Sequence, residues 1–186
     1  ASSPDEVALV RFAESLNMVL KERNQEEITI ENPAGSIENY KILAMFPFSS
    51  ESKRMGILVR YSNTKRIIFY LKGADSILQN KVKKVYKPVV QDECENLARE
   101  GLRTLVFAQK ILSEEEYDEW NADYKKATLA LVNRHEMVRD CAERLEVDMD
   151  FLGITGVEDK LQENVCSSIE ALRHAGIKVC IIFVMI

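Results

Sequence analysis

The sequence predicts an α/β chain of the α+β type: a mainly antiparallel sheet flanked by helices, then a C-terminal β-α-β unit. Three observations carry this. Segments rich in β-branched and aromatic residues at 39–46, 54–61 and 66–73 follow one another over polar connections, as antiparallel neighbours do. Longer stretches open with helix-capping signatures, Ser3 with Glu6 and Ser113 with Glu116. The end of the chain reads strand, helix, strand, the pattern of a parallel crossover.

Taken in order, "SSPDEVALVRFAESLNMVL" opens with Ser3 as cap and Pro4 at the first helical position, where a missing N–H costs nothing. Val7 and Val10 begin a partly apolar stripe. "EEITIEN" (26–32) is a short strand. "NYKILAMF" (39–46) is a second, and simple alternation puts Tyr40, Ile42, Ala44 and Phe46 on one face. "RMGILVRY" (54–61) is a third, aligning Met55, Ile57, Val59 and Tyr61, and "YSNTK" turns it into a fourth, "RIIFYLKG". Both faces of that fourth strand are apolar, Ile67-Phe69-Leu71 and Ile68-Tyr70, so it is expected to be central and covered on both sides. "VVQDECENLAREG" is a helix closed by Gly101, "LRTLVFAQKIL" a buried strand, and 113–131 and 133–148 are helices. "MDFLGITG" (149–156), "LQENVCSSIEALRHAG" (161–176) and "IKVCIIFVMI" (177–186) complete the β-α-β unit. Two parallel strands cannot bury their own faces, so the last strand is expected to need neighbours from outside this chain.

The 186 residues are 46% hydrophobic and 30% charged, enough for one good core, and the net charge is −5. An acidic chain is a poor general nucleic-acid binder, although a locally basic cleft can still hold one phosphate-bearing small molecule. The four cysteines are scattered without a Cys-x-x-Cys pair, which argues for reduced thiols in a cytosolic setting rather than a zinc site or disulfide framework. No secretory leader is expected, and the longest apolar run, 179–186, is far too short to span a bilayer. No Walker loop, dinucleotide fingerprint, nucleophile elbow or His-Glu-x-x-His occurs, which disfavours a hydrolase with a complete active site of its own.

Three places stand out. In "FPFSSESKRMGILVR", Phe46 has core parity, Pro47 cannot donate a ladder hydrogen bond, and Phe48 is then released, with Lys53 and Arg54 close behind. A released ring beside a cation suits a flat heterocycle carrying phosphates; the other reading has Phe48 plugging the sheet edge above a solvated loop. In "LKGAD", Lys72 ends a strand beside Gly73, where it either approaches a phosphate or snorkels to water. In "GLRTLVF", Arg103 aligns with Leu105 and Phe107 and wants an anion, either a ligand or an internal carboxylate. Glu6 in turn is either a site residue or the third residue of a capping box.

"SPDEVALV", "FPFSSESKRMGILVR", "LKGADSIL", "GLRTLVFAQK" and "TGVEDKLQENV", followed by "AGIKV", stand here in the order found in P-type ATPases. The resemblance covers nearly the whole chain and looks closest to the phospholipid-transporting branch, the lipid flippases. "FPFSSESKRMG" resembles the flippase class that works without the usual accessory subunit, a requirement the sequence leaves open. What the resemblance implies is a nucleotide-binding domain at 1–147, with a twisted antiparallel sheet, and part of a Rossmann-like phosphorylation domain at 148–186. By motif, Phe48 is similar to the phenylalanine that stacks on adenine. Lys53 and Lys72 resemble the two lysines of the ATP pocket, and Arg103 the arginine near the phosphates. Glu6 matches the acidic residue at the adenine edge, Ser50 lines the same pocket, and Asp159 matches an aspartate close to the phosphorylation site.

The phosphorylated aspartate of an Asp-Lys-Thr-Gly-Thr motif is absent, as are the Thr-Gly-Asp and Gly-Asp-Gly-x-Asn-Asp loops; "FVMI" stands where Thr-Gly-Asp belongs. The resemblance therefore implies a monomeric piece of a membrane enzyme of Golgi, endosomal or plasma membrane. It would bind ATP with Mg²⁺, whose ligands belong mainly to the missing loops, and not hydrolyse it. Phospholipid would be the substrate of the whole protein. Two other readings stay open: the nucleotide-binding domain of a cation pump, and a non-catalytic docking module using the "SEEEYDEWNADYKK" helix.

Overall fold

Every strand pairs with its nearest strand in sequence, across short connections in the first part of the sheet and across helices in the last part. In the computed structural model, which describes residues 3–158 and 163–180, seven strands form one sheet in chain order, every neighbouring pair antiparallel. They are β1 (Val19–Arg23), β2 (Glu27–Glu31), β3 (Ile37–Phe46), β4 (Arg54–Tyr61), β5 (Ile67–Gly73), β6 (Arg103–Leu112) and β7 (Asp150–Val157). The helices are α1 (Pro4–Ser15), the single turn α2 (Asp75–Leu78), α3 (Lys87–Arg99), α4 (Glu114–Leu129), α5 (Arg134–Leu145) and α6 (Val165–His174). The α/β fold class read from the sequence is the one observed. Neither β1 nor α2 was expected: "VLKER" is largely polar, and only pairing with β2 makes it a strand.

One face of the sheet carries the core. Leu58, Ile67, Phe69 and Val106 are fully buried there against Leu78, Val90 of α3 and Met149. Trp120 of α4 donates its indole N–H to the Cys141 carbonyl of α5 at 2.9 Å, tying the two helices together over this face. Ser113 and Glu116 form the expected reciprocal capping box at the start of α4, and Ser3 accepts the Glu6 amide at 3.3 Å at the start of α1.

The other face is only half covered. Ile68 and Tyr70 remain partly exposed, so β5 is central but not buried on both sides as its composition predicts. The single face expected for β3 is also corrected. Ile42 pairs with Val59, but Ala44 pairs with Leu58, because Leu43 is an extra residue in the ladder. Such a bulge reverses the alternation: Tyr40 and Ile42 lie on the open face, Ala44 and Phe46 on the core face. On the open face Tyr40 stacks on Tyr61 with ring centroids 4.9 Å apart.

Tyr40 also donates to Glu38 at 2.6 Å, and Asn32 donates to the same carboxylate at 3.0 Å. The tyrosine bond first, then the asparagine bond, hold the Glu38 carboxyl below its ordinary value of 4.5. A depressed carboxylate contributes stability that is present above its unfolded pKa and lost as pH falls through the folded one. Glu38→Gln should therefore lose less stability than the parent between pH 7 and about pH 3 in urea melts, by a small margin because the group is near solvent.

The C-terminal unit departs from expectation in its partner. β7 does not open a parallel pair; it closes the antiparallel sheet, with Arg103 opposite Val157 and Val106 opposite Ile154. β7 is the edge strand of this sheet, and a chain-adjacent helix does not by itself decide the pairing. α6 follows with none of its residues buried. Residues 177–180 are not strand; 181–186, and Asp159 with its neighbours 160–162, lie outside the described residues.

Candidate functional site

The loop between β3 and β4 is built by two features of its sequence. Pro47 ends the ladder after Phe46, whose ring stays on the core side, edge-on to Phe69 at 5.9 Å and near Trp120 and Tyr124. Phe48 leaves the core and is 60% exposed. Ser49 then makes a local turn: its hydroxyl accepts the Ser52 amide at 3.0 Å, and its carbonyl accepts the Lys53 amide at 2.8 Å. Lys53 has φ +50°, a left-handed conformation uncommon outside glycine and asparagine. Its carbonyl accepts the Ala74 amide at 3.1 Å, which fixes the end of the loop to the exit of β5.

Gly73 makes that junction possible. A Cβ at this position would lie 2.7 Å from the Lys53 carbonyl oxygen and 2.7 Å from the Arg54 Cβ. The "LKGAD" glycine is therefore required by close backbone approach, not by an unusual φ. One residue earlier, Lys72 lies opposite Met55 on β4 and Phe107 on β6, on the half-open face. Arg103 belongs to the same face, in the row through Leu105 and Phe107.

The N-terminal turn of α1 meets this face. The Glu6 carboxylate lies 3.4 Å from Lys72 Nζ, and the Asp5 carboxylate 3.0 Å from the Arg103 guanidinium. Six of the seven positions read from the sequence are thus placed at one end of the open face or on the loop at its edge: Glu6, Phe48, Ser50, Lys53, Lys72 and Arg103. Ser50 lies on the same loop, exposed, and Asp159 lies outside the described residues. Asp5 was missed. Its one local signal is the acidic doublet Asp5-Glu6 in the first turn of α1, which stabilises the helix N-terminus whether or not it meets a cation.

The Lys53-Arg54 pair divides. Arg54 starts β4 on the core face, where its Nε lies 2.8 Å from Glu146, a residue only 3% exposed at the end of α5. Burial works against the guanidinium charge, but the Glu146 hydrogen bond and charge outweigh it and raise the Arg54 pKa above its ordinary value. Arg54 is thus a structural cation, held on the core side by Glu146 and Glu143. Among the described residues no three Asp, Glu, His or Cys side chains stand together as a metal site, and no helix is long and apolar enough to cross a membrane.

This arrangement offers an exposed aromatic ring, with cations on neighbouring strands already held by carboxylates. The chain is 48% identical over 179 residues to "Probable phospholipid-transporting ATPase IIB" of Mus musculus, covering 96% of this chain and 15% of that protein. It is 51% identical over 181 residues to "Phospholipid-transporting ATPase neo1" of Schizosaccharomyces pombe, covering 96% of this chain and 17% of that protein. With "Phospholipid-transporting ATPase VD" of Macaca fascicularis it shares 36% identity over 192 aligned positions, 96% of this chain and 29% of the relative. The chain thus spans only a small part of these relatives. A family model described as P-type ATPase, cytoplasmic domain N, matches residues 1–164, and the chain belongs to that family.

Proposed function

We propose that this chain binds ATP on the half-open face of its sheet, as the nucleotide-binding part of a phospholipid-translocating P-type ATPase. The observation that carries the reading is that Lys72 and Arg103, from adjacent strands, are held by the neighbouring carboxylates Glu6 and Asp5 of α1, on a face whose edge loop presents Phe48 to solvent. In this reading Phe48 stacks on the adenine, Glu6 and Ser50 border the base, and Lys53, Lys72 and Arg103 take the phosphates. The acidic partners Asp5 and Glu6 keep the cations in place before ATP arrives, and their displacement by phosphate weakens binding. Mg²⁺ would travel with the phosphates and supply charge neutralisation for transfer to an aspartate that this sequence lacks. The whole protein would use that transfer to move phospholipid between leaflets. Asp159 and the residues around it would belong to the phosphorylation domain.

Binding without turnover is the expected behaviour. ATP titrated into the chain and followed by NMR or calorimetry should saturate with a dissociation constant of about 1 mM or somewhat tighter, near −4 kcal/mol. Lys72→Ala should weaken it about tenfold, since a charge-assisted phosphate contact contributes more than a neutral one. A parent chain with no saturable shifts would remove the reading and favour a docking module.

A further inference from the structure

The loop that carries Phe48 and Lys53 has little packing behind it. On its core side lies a concavity of about 710 Å³, lined by Pro47, Ser52, Arg54, Arg139, Glu143 and Glu146. Something other than apolar contact must hold Lys53 in its left-handed conformation. Ser49 supplies part of the hold. Arg54 supplies the rest: its guanidinium meets Glu146 at 2.8 Å and Glu143 at 3.4 Å, and donates at 3.2 Å to the carbonyl of Ser52, the residue before Lys53. Glu146 is also 3.0 Å from Lys81 Nζ. Lys81 is joined through its backbone carbonyl to the Met149 amide at 2.9 Å, just before β7. A nearly buried carboxylate therefore connects the loop to the frame of the domain.

We propose that Arg54 and Glu146 form a brace that positions Lys53 and Phe48 for nucleotide without touching it. This rests on the ATP reading above. Arg54 acts through the Ser52 carbonyl on one side of Lys53, as the Ala74 amide acts on the Lys53 carbonyl on the other. Removing one member alone confuses positioning with stability, because it leaves the other charge buried and unpaired. The paired apolar replacement Arg54→Met with Glu146→Met separates them: such swaps are close to neutral for folding, yet the Ser52 carbonyl loses its donor.

The experiment is ATP titration and thermal melting of the parent, the double variant, and each of these with Lys53→Ala. The double variant should melt within a few degrees of the parent and bind ATP about tenfold more weakly, as when a loop is competent one time in ten. Lys53→Ala should then cost much less in the double variant than in the parent. Exchange of the Lys53 amide hydrogen should speed up without ATP present. Should the double variant fold poorly, Arg54→Lys serves: it keeps a charge for Glu146 but cannot also reach Ser52, and should weaken ATP severalfold at near-parental stability. A stable double variant, or failing that a stable Arg54→Lys, that binds ATP as the parent does overturns the brace alone. A parent that fails to bind ATP overturns the ATP reading and the brace with it.

Discussion

Gly73→Ala should weaken ATP binding by tenfold or more while lowering stability by about 1–3 kcal/mol, the usual cost of overpacking. The added methyl has nowhere to go. It would lie 2.7 Å from the Lys53 carbonyl oxygen, 2.7 Å from Arg54 Cβ and 2.9 Å from Arg54 Cα. Two of these three are backbone atoms, so no rotamer change relieves the clash, and the start of β4 must move away from β5. That movement breaks the Ala74-to-Lys53 hydrogen bond and drags the loop from Lys72. Gly153→Ala is the control, since a Cβ there meets nothing within 4 Å, and its stability should be parental or slightly higher. Chemical-denaturation curves and ATP titrations on both variants decide it. Parental ATP affinity in Gly73→Ala would mean that the close strand approach does not set the geometry of the site.

The same junction shows what the sequence made legible. Pro47 followed by Phe48 announced a break in the ladder and a released ring, because proline's missing donor is a local fact that needs no tertiary knowledge. Lys72 beside Gly73 likewise pointed to a strand exit that something approaches closely. The harder matters were non-local. Nothing in "NYKILAMF" marks Leu43 as the bulged residue; the reversal of faces follows from having to pair Phe46 with Gly56 and Tyr40 with Tyr61 in one strand. Nothing in "KR" tells that Arg54 turns to the core side, since that choice is made by Glu146, more than 90 positions along the chain. β7 reads like the start of a parallel unit until the edge of β6 is seen to be available for antiparallel pairing. Local chemistry was readable, and long-range partners were not.

Phe46 and Phe48 are chemically identical side chains two residues apart, and truncating them should produce opposite results. Phe46 lies within 5.9–6.4 Å, ring to ring, of Phe69, Trp120 and Tyr124. Its loss opens a hole between the sheet and α4, so Phe46→Ala should cost about 3 kcal/mol or more, at the lower end for a large core aromatic because the ring is not wholly buried. Phe48 has 60% of its surface in water and no ring partner within contact among the described residues. Phe48→Ala should leave the melting temperature where it was, while ATP affinity falls by the value of one base–aromatic stack, about 1–3 kcal/mol, or roughly 5-fold to 150-fold. The contrast separates binding from folding within a single loop, because each variant is the other's control. A Phe48→Ala chain that melts several degrees lower with ATP affinity unchanged would assign this ring to the sheet edge instead. The open face would then have lost its platform for the base, whatever its cations still attract.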